Sequence, residues 1–208
     1  KHGDETEING QGPVITEEAI NELFAKLDTL TKEDILVLAG SIPNTLPEDI
    51  YEKILASLES KGIRVVVDAT KDLLLNVLKY HPFLIKPNNH ELGEMFGTVC
   101  KTDEDIVHYA KKLQEKGAVN VLISMAGDGA ILITEDGQNI KMGTPKGKVV
   151  NSVGAGDSMV AGFITGYIRG GNYEEALKSG TAAGSATAFS EGLASLEMYE
   201  KMLKQITE

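Results

Sequence analysis

Short apolar runs rich in β-branched residues alternate along this chain with longer stretches of helical spacing. Ile35–Ala39, Ile63–Asp68, Phe83–Lys86, Val119–Ser124 and Gly129–Thr134 are apolar nearly throughout, as strands covered on both faces must be. Before, between and after them, Glu17–Leu30, Glu48–Lys61, Lys71–Lys79, Asp103–Lys116, Ala155–Arg169, Tyr173–Phe189 and Leu196–Ile206 carry helical periodicity. Thr16 before Glu17 and Thr102 before an acidic first turn are helix starts, and Gly62 and Gly117 follow basic last turns. The order βαβα predicts one α/β domain with a mainly parallel sheet and helices on both faces. Gln138–Met142 and Lys148–Val150 are expected as short antiparallel additions near one edge.

The 208 residues suit a single domain able to bury a core without disulfides or metals. Hydrophobic residues at 42% and charged residues at 25% exclude wholesale disorder. The net charge of −11 repels phosphate backbones and anionic lipid, so neither nucleic acid nor membrane is an expected partner. The single cysteine, Cys100, cannot form an internal disulfide, and no apolar run approaches the ~20 residues that span a bilayer. Together these point to a soluble, cytoplasmic protein. The chain opens on Lys1 and a polar segment, so the expectation is a sequence that starts inside a longer protein, with residues 1–14 a strand or lid remnant and 15–208 the α/β part.

The most informative stretch is Asn151-Ser152-Val153-Gly154-Ala155-Gly156-Asp157-Ser158, where small residues lead straight into a helical run. A helix start offers unpaired N–H groups and the positive end of a dipole, and glycines let an anion come close. A carboxylate there would repel a phosphate unless it takes a proton from an attacking hydroxyl. The same segment is equally read as a first-turn acid and tightly packed glycines. Neither GxxxxGK[ST] nor GxGxxG occurs, which removes the two commonest nucleotide motifs.

Lys86-Pro87-Asn88-Asn89-His90-Glu91 ends a strand. Asn88 and Glu91 fit a capping box, and they also fit a phosphate-facing site in which Glu91 holds water of a hydrated Mg²⁺. Ser124-Met125-Ala126-Gly127-Asp128-Gly129 lies between two strands, as a hairpin turn or as a nucleotide-lining loop, and Gly40-Ser41 closes another strand. Small, polar and acidic groups thus converge on several strand ends, where open α/β sheets bind ligands. His2, His81, His90 and His108 have no metal-ligand spacing and read as surface residues.

NSVGAGDSMVAGF resembles the second signature of the ribokinase-like (PfkB) sugar kinases, KPNNHE resembles their KPN-x-x-E element, and SMAGDGA their nucleotide-binding turn. GSIPNTLPEDIY and ETEINGQGP are similar to the branch acting on fructose 1-phosphate and tagatose 6-phosphate. The resemblance implies a ribokinase-like sandwich that phosphorylates fructose 1-phosphate at O6 with ATP and Mg²⁺. The alternatives are a tagatose 6-phosphate kinase and a non-catalytic nucleotide-binding relative. It implies Asp157 as base, and Gly154, Ala155 and Gly156 as anion hole. Lys86, Asn88, Ser124, Met125, Ala126, Gly127, Asp128, Gly129 and Ser185 would hold the nucleotide, Gly40 and Ser41 the sugar. Glu91 and Asn88 would position Mg²⁺ through water, and Val153, Thr187 and Ser190 are candidates for a monovalent cation, K⁺. Asn151 stands where many of the wider family have Asp. The family's N-terminal sugar-binding signature is not found, so the expectation is an N-terminally truncated chain, inactive alone, whose ETEIN segment belongs to a lid that joins a homodimer partner.

Overall fold

The computed structural model describes residues 12–207 of the chain. Six strands form one sheet in simple sequential order: β1 (Ile35–Ala39), β2 (Arg64–Asp68), β3 (Leu84–Ile85), β4 (Asn120–Ser124), β5 (Ala130–Ile133) and β6 (Asn139–Met142). The first four run parallel, β5 returns antiparallel to β4, and β6 pairs antiparallel with β5. The expected strand at Lys148–Val150 does not form. The amides of Val150 and Asn151 donate instead to the Ala188 carbonyl at 2.8 and 3.2 Å, closing a loop on a helix end.

Alternation within each strand sorts the core into two layers. Val65, Val67, Ile85, Val121, Ile123, Ile131 and Ile133 face one cluster, and Val66, Leu84, Leu122, Ala130 and Leu132 face the other. The first cluster is covered by α1 (Glu17–Asp28), α2 (Ile50–Leu58), α3 (Lys71–Val77), α4 (Asn89–Met95) and α5 (Asp103–Glu115). The second is covered by α6 (Ala155–Gly170) and α7 (Tyr173–Ala188), with α8 (Leu196–Thr207) packed on α7. This is the expected α/β sandwich with helices on both faces. On edge strand β1, Val37 is 41% exposed, because α6 and α7 do not reach that far along the sheet.

Helices α6 and α7 touch almost backbone to backbone. A Cβ on Gly162 would stand 2.6 Å from the Ser179 carbonyl oxygen, and one on Gly184 would stand 3.0 Å from that of Ala155. This seam of small residues brings the later turns of α7 against the first turn of α6. The predicted caps are present: the Thr16 hydroxyl accepts from the Ala19 amide, and Thr102 and Asp105 form a capping box. The expected lid strand and its dimer contact fall mainly on residues 1–11, outside the described residues.

Candidate active site

The parallel strands end on one rim, at Gly40 after β1, Asp68 at the end of β2, Lys86 after β3 and Ser124 at the end of β4. The first turn of α6 joins them there. Gly154 is its N-cap in the left-handed region (φ 79°), a conformation in which a side chain would be strained. No described group accepts from the amides of Gly154, Gly156 or Asp157. The Ala155 amide differs from the expectation: it donates to the Ser152 carbonyl at 3.1 Å. The free donors of this helix start are therefore Gly154, Gly156 and Asp157. Leu193, 78% exposed, lies across Gly154, its Cδ2 3.3 Å from where a Cβ would stand.

Lys86 is 6% exposed, and its Nζ sits 3.2 Å from Asp68 Oδ1. The same ammonium lies 3.1 Å from the position a Cβ on Gly156 would take, so a side chain there would push it aside. Burial raises the Asp68 carboxyl above the ordinary carboxylate range; Lys86 pulls it back, and the nearby charges of Asp157 and Glu91 raise it further. Tyr51, raised chiefly by burial and then by Asp68, donates its hydroxyl to the Ala39 carbonyl at 2.8 Å and closes this corner. Asp157 is exposed, and no described residue pairs with its carboxylate. One cation and three carboxylates thus share the rim beside three free amides.

Asn88 and Glu91 form the capping box of α4. Asn88 Oδ1 accepts from the amides of His90 and Glu91, both at 2.9 Å, and Glu91 Oε2 accepts from the Asn88 amide at 2.7 Å. The second Glu91 oxygen stays unengaged and close enough to influence Asp68. Among the described residues no three His, Cys, Asp or Glu side chains gather tightly enough to ligate a metal directly.

From this rim a cleft of about 990 Å³ runs along α6 and α7. Of the residues expected to hold the nucleotide, Asn88, Ser124, Met125, Ala126, Gly127, Asp128 and Ser185 line it, together with Ala155 and Gly156 of the helix start. Gly129 does not; it is buried, and a Cβ there would stand 2.0 Å from the Met142 carbonyl oxygen. Gly40 and Ser41 lie exposed on the same rim but outside the cleft, with the Gly40 amide donating to the Asp68 carbonyl at 3.1 Å. Of the cation candidates Val153, Thr187 and Ser190, the two that carry hydroxyls already have protein partners. Thr187 Oγ1 donates to Ser158 Oγ (2.8 Å) and Ser190 Oγ to the Ala186 carbonyl (2.8 Å). The Val153 amide donates to Asn151 Oδ1, and Asn151 Nδ2 donates to the Glu191 carbonyl.

Sequence reasoning missed Asp68, which it took for the last residue of a strand. It also missed the outer wall of the cleft at Thr144, Pro145, Gly147 and Val149, and the inner wall at Met159 and Phe189. The punctuation by Gly143, Pro145 and Gly147 was a signal for the loop that forms the outer wall.

The sequence profile of the pfkB family carbohydrate kinases matches residues 1–198. The 1-phosphofructokinase of Bacillus subtilis is 50% identical over 99% of this chain and 68% of its own length. The D-tagatose-1-phosphate kinase of Bacillus licheniformis is 36% identical over 97% of this chain and 66% of its own. A crystal structure from Staphylococcus aureus superposes with a TM-score of 0.90 at 45% identity, over 98% of this chain and 66% of that one. The chain therefore spans about two thirds of the length of these relatives.

Proposed function

The chain belongs to the pfkB family of carbohydrate kinases and has their ribokinase-like fold, and on that premise we propose that it serves as an ATP-dependent 1-phosphofructokinase, converting fructose 1-phosphate to fructose 1,6-bisphosphate. The observation that carries the reading is the meeting of free helix-start amides, the buried Lys86 ammonium and the unpaired Asp157 carboxylate on one rim. The B. subtilis relative supports the sugar assignment.

In this reading Asp157 accepts the proton of the C6 hydroxyl, so that O6 attacks the γ-phosphorus while the bond to the ADP oxygen breaks. Three equatorial oxygens carry the developing charge. The amides of Gly154, Gly156 and Asp157 and the Lys86 ammonium offset it in a site already arranged before the substrate arrives. The nucleotide lies in the cleft, its phosphates toward the start of α6 and its base between α7 and the Thr144–Val149 wall. Gly40 and Ser41 border the sugar side.

Mg²⁺ fits the chemistry of the rim, since a hard divalent cation suits carboxylate oxygens and water. Asp68 is raised first by burial and only then by the negative charge of Asp157 and Glu91, the part that such a cation would relieve, and the free Glu91 oxygen is available to its hydration shell. Asp68 and Glu91 would hold it, and when bound it supplies neutralisation of the triphosphate.

The B. licheniformis relative supports a second reading, tagatose 1-phosphate, the C4 epimer of fructose 1-phosphate, in place of the tagatose 6-phosphate alternative. A coupled assay of the intact protein with MgATP and fructose 1-phosphate, tagatose 1-phosphate or fructose 6-phosphate tests both. The proposal expects kcat/KM for fructose 1-phosphate at least about tenfold above either competitor, a difference of about 1.4 kcal/mol in transition-state binding. Preference for tagatose 1-phosphate installs the second reading. Turnover with none of the three leaves a nucleotide-binding relative without kinase activity.

A further inference from the structure

Two loops meet at the start of α6: residues 150–153, which lead into it, and residues 189–194, which follow α7. Asn151 ties one to the other. Its backbone amide and that of Val150 donate to the Ala188 carbonyl at 3.2 and 2.8 Å. Its side chain reaches in two directions: Oδ1 accepts from the Val153 amide at 3.0 Å, and Nδ2 donates to the Glu191 carbonyl at 3.2 Å. The Val153 amide can only donate, so it fixes which end of the Asn151 side chain is oxygen and leaves the NH₂ on Glu191. Just beyond, the Ala155 amide closes on the Ser152 carbonyl and Gly154 takes its φ of 79°. The strap therefore sets the path of the chain into the free amides of Gly154, Gly156 and Asp157.

The resemblance to sugar kinases led to the expectation of a monovalent cation between these loops, and the donor set does not fit one. Such a cation needs several oxygens with open lone pairs turned toward it. The Glu191 carbonyl instead faces an N–H of Asn151, the positive end of a dipole. The Ser190 hydroxyl donates to the Ala186 carbonyl, and the Thr187 hydroxyl both donates to Ser158 and accepts from the Ala194 amide. The Thr187 carbonyl accepts from the amides of Phe189 and Ser190. We infer that Asn151 is a positioning residue whose side-chain amide stands in for that cation, holding the two loops together and making the helix start independent of monovalent cations. An aspartate at this position reverses the logic. Its second oxygen would face the Glu191 carbonyl oxygen with no proton between them, a repulsion that a monovalent cation relieves by bridging the two.

The test compares the intact protein with Asn151→Asp and Asn151→Ala in potassium chloride and in choline chloride at equal ionic strength. Melting curves are read beside a kinase assay with MgATP and fructose 1-phosphate; only the second rests on the kinase reading above. The parent melts within about 1 °C in the two salts and keeps one kcat. Asn151→Asp melts at least about 3 °C higher in potassium than in choline, as a ligand bound only to the folded form requires, and its kcat falls in choline and recovers in potassium. Asn151→Ala offers neither donor nor ligand, so it loses about tenfold in kcat in both salts through misplacement of the helix start. A parent whose melting point or kcat rises with potassium overturns the inference. So does an Asn151→Asp variant indifferent to the salt, or an Asn151→Ala variant with parental kcat. A parent that phosphorylates nothing in either salt removes the kinase reading, and the melting curves alone then decide whether Asn151 replaces the cation.

Discussion

Lys86 Nζ lies 3.2 Å from Asp68 Oδ1, with only 8% and 18% of the two side chains exposed. One partner ends β2 and the other follows β3, so parallel pairing of neighbouring strands delivers both charges to the same rim. Gly156 leaves room for the ammonium at the first turn of α6. The pair thus links the sheet to the helix start that the proposed chemistry uses.

Removing the cation should be felt as a pH-dependent loss of stability. Asp68 already sits above the ordinary carboxylate range because of burial, and Lys86 is what holds it down. An acid whose folded pKa exceeds its unfolded one binds its proton more tightly when folded, so stability falls as pH rises from the unfolded value through the folded one. Lys86→Met moves the folded value higher still. The variant should lose about 3 kcal/mol at pH 8, with a smaller deficit toward pH 5. Denaturant melts across that range check it, and a deficit that does not change with pH contradicts it.

The capping box separates two roles of Glu91. Asn88→Ala removes the acceptor for two amides and should cost about 1 kcal/mol of stability. Glu91→Gln keeps an acceptor for the Asn88 amide, so its stability should stay within about 0.5 kcal/mol of the parent. If Glu91 also holds water of the metal, this variant needs more Mg²⁺ for half-maximal turnover. An unchanged Mg²⁺ titration reduces Glu91 to a cap.

The α6–α7 seam sets the geometry of the cleft from a distance. Gly162→Ala adds a methyl 2.6 Å from the Ser179 carbonyl oxygen and must part the helices. Despite the better helix propensity of alanine, a loss of about 1–3 kcal/mol is expected in thermal melts, with weaker nucleotide binding. A variant as stable as the parent would show that the seam yields freely.

What the chain's pattern made legible follows from periodicity and local chemistry. The buried strands, the helices with Thr caps and the GAGD helix start need only neighbouring residues to be recognised. Lys148–Val150 was misread because β-branched residues look like a strand, whereas the amides there are taken up by the Ala188 carbonyl, a contact distant in sequence. Asp68 was passed over because nothing in IRVVVD marks the last residue as functional. Its meaning arises only when β3 places Lys86 beside it. Ala155 was expected as a free donor because composition cannot reveal that its amide turns back to Ser152.

The central claim is that Asp157 takes the proton of the sugar hydroxyl beside a cradle that binds the triphosphate independently of it. Turnover and ATP affinity measured together on Asp157→Asn in the intact protein test it most directly. The account predicts a fall in kcat of about 10²–10⁴-fold with the dissociation constant for MgATP changed less than about threefold. A variant that retains parental kcat, or that loses turnover only because ATP no longer binds, contradicts it.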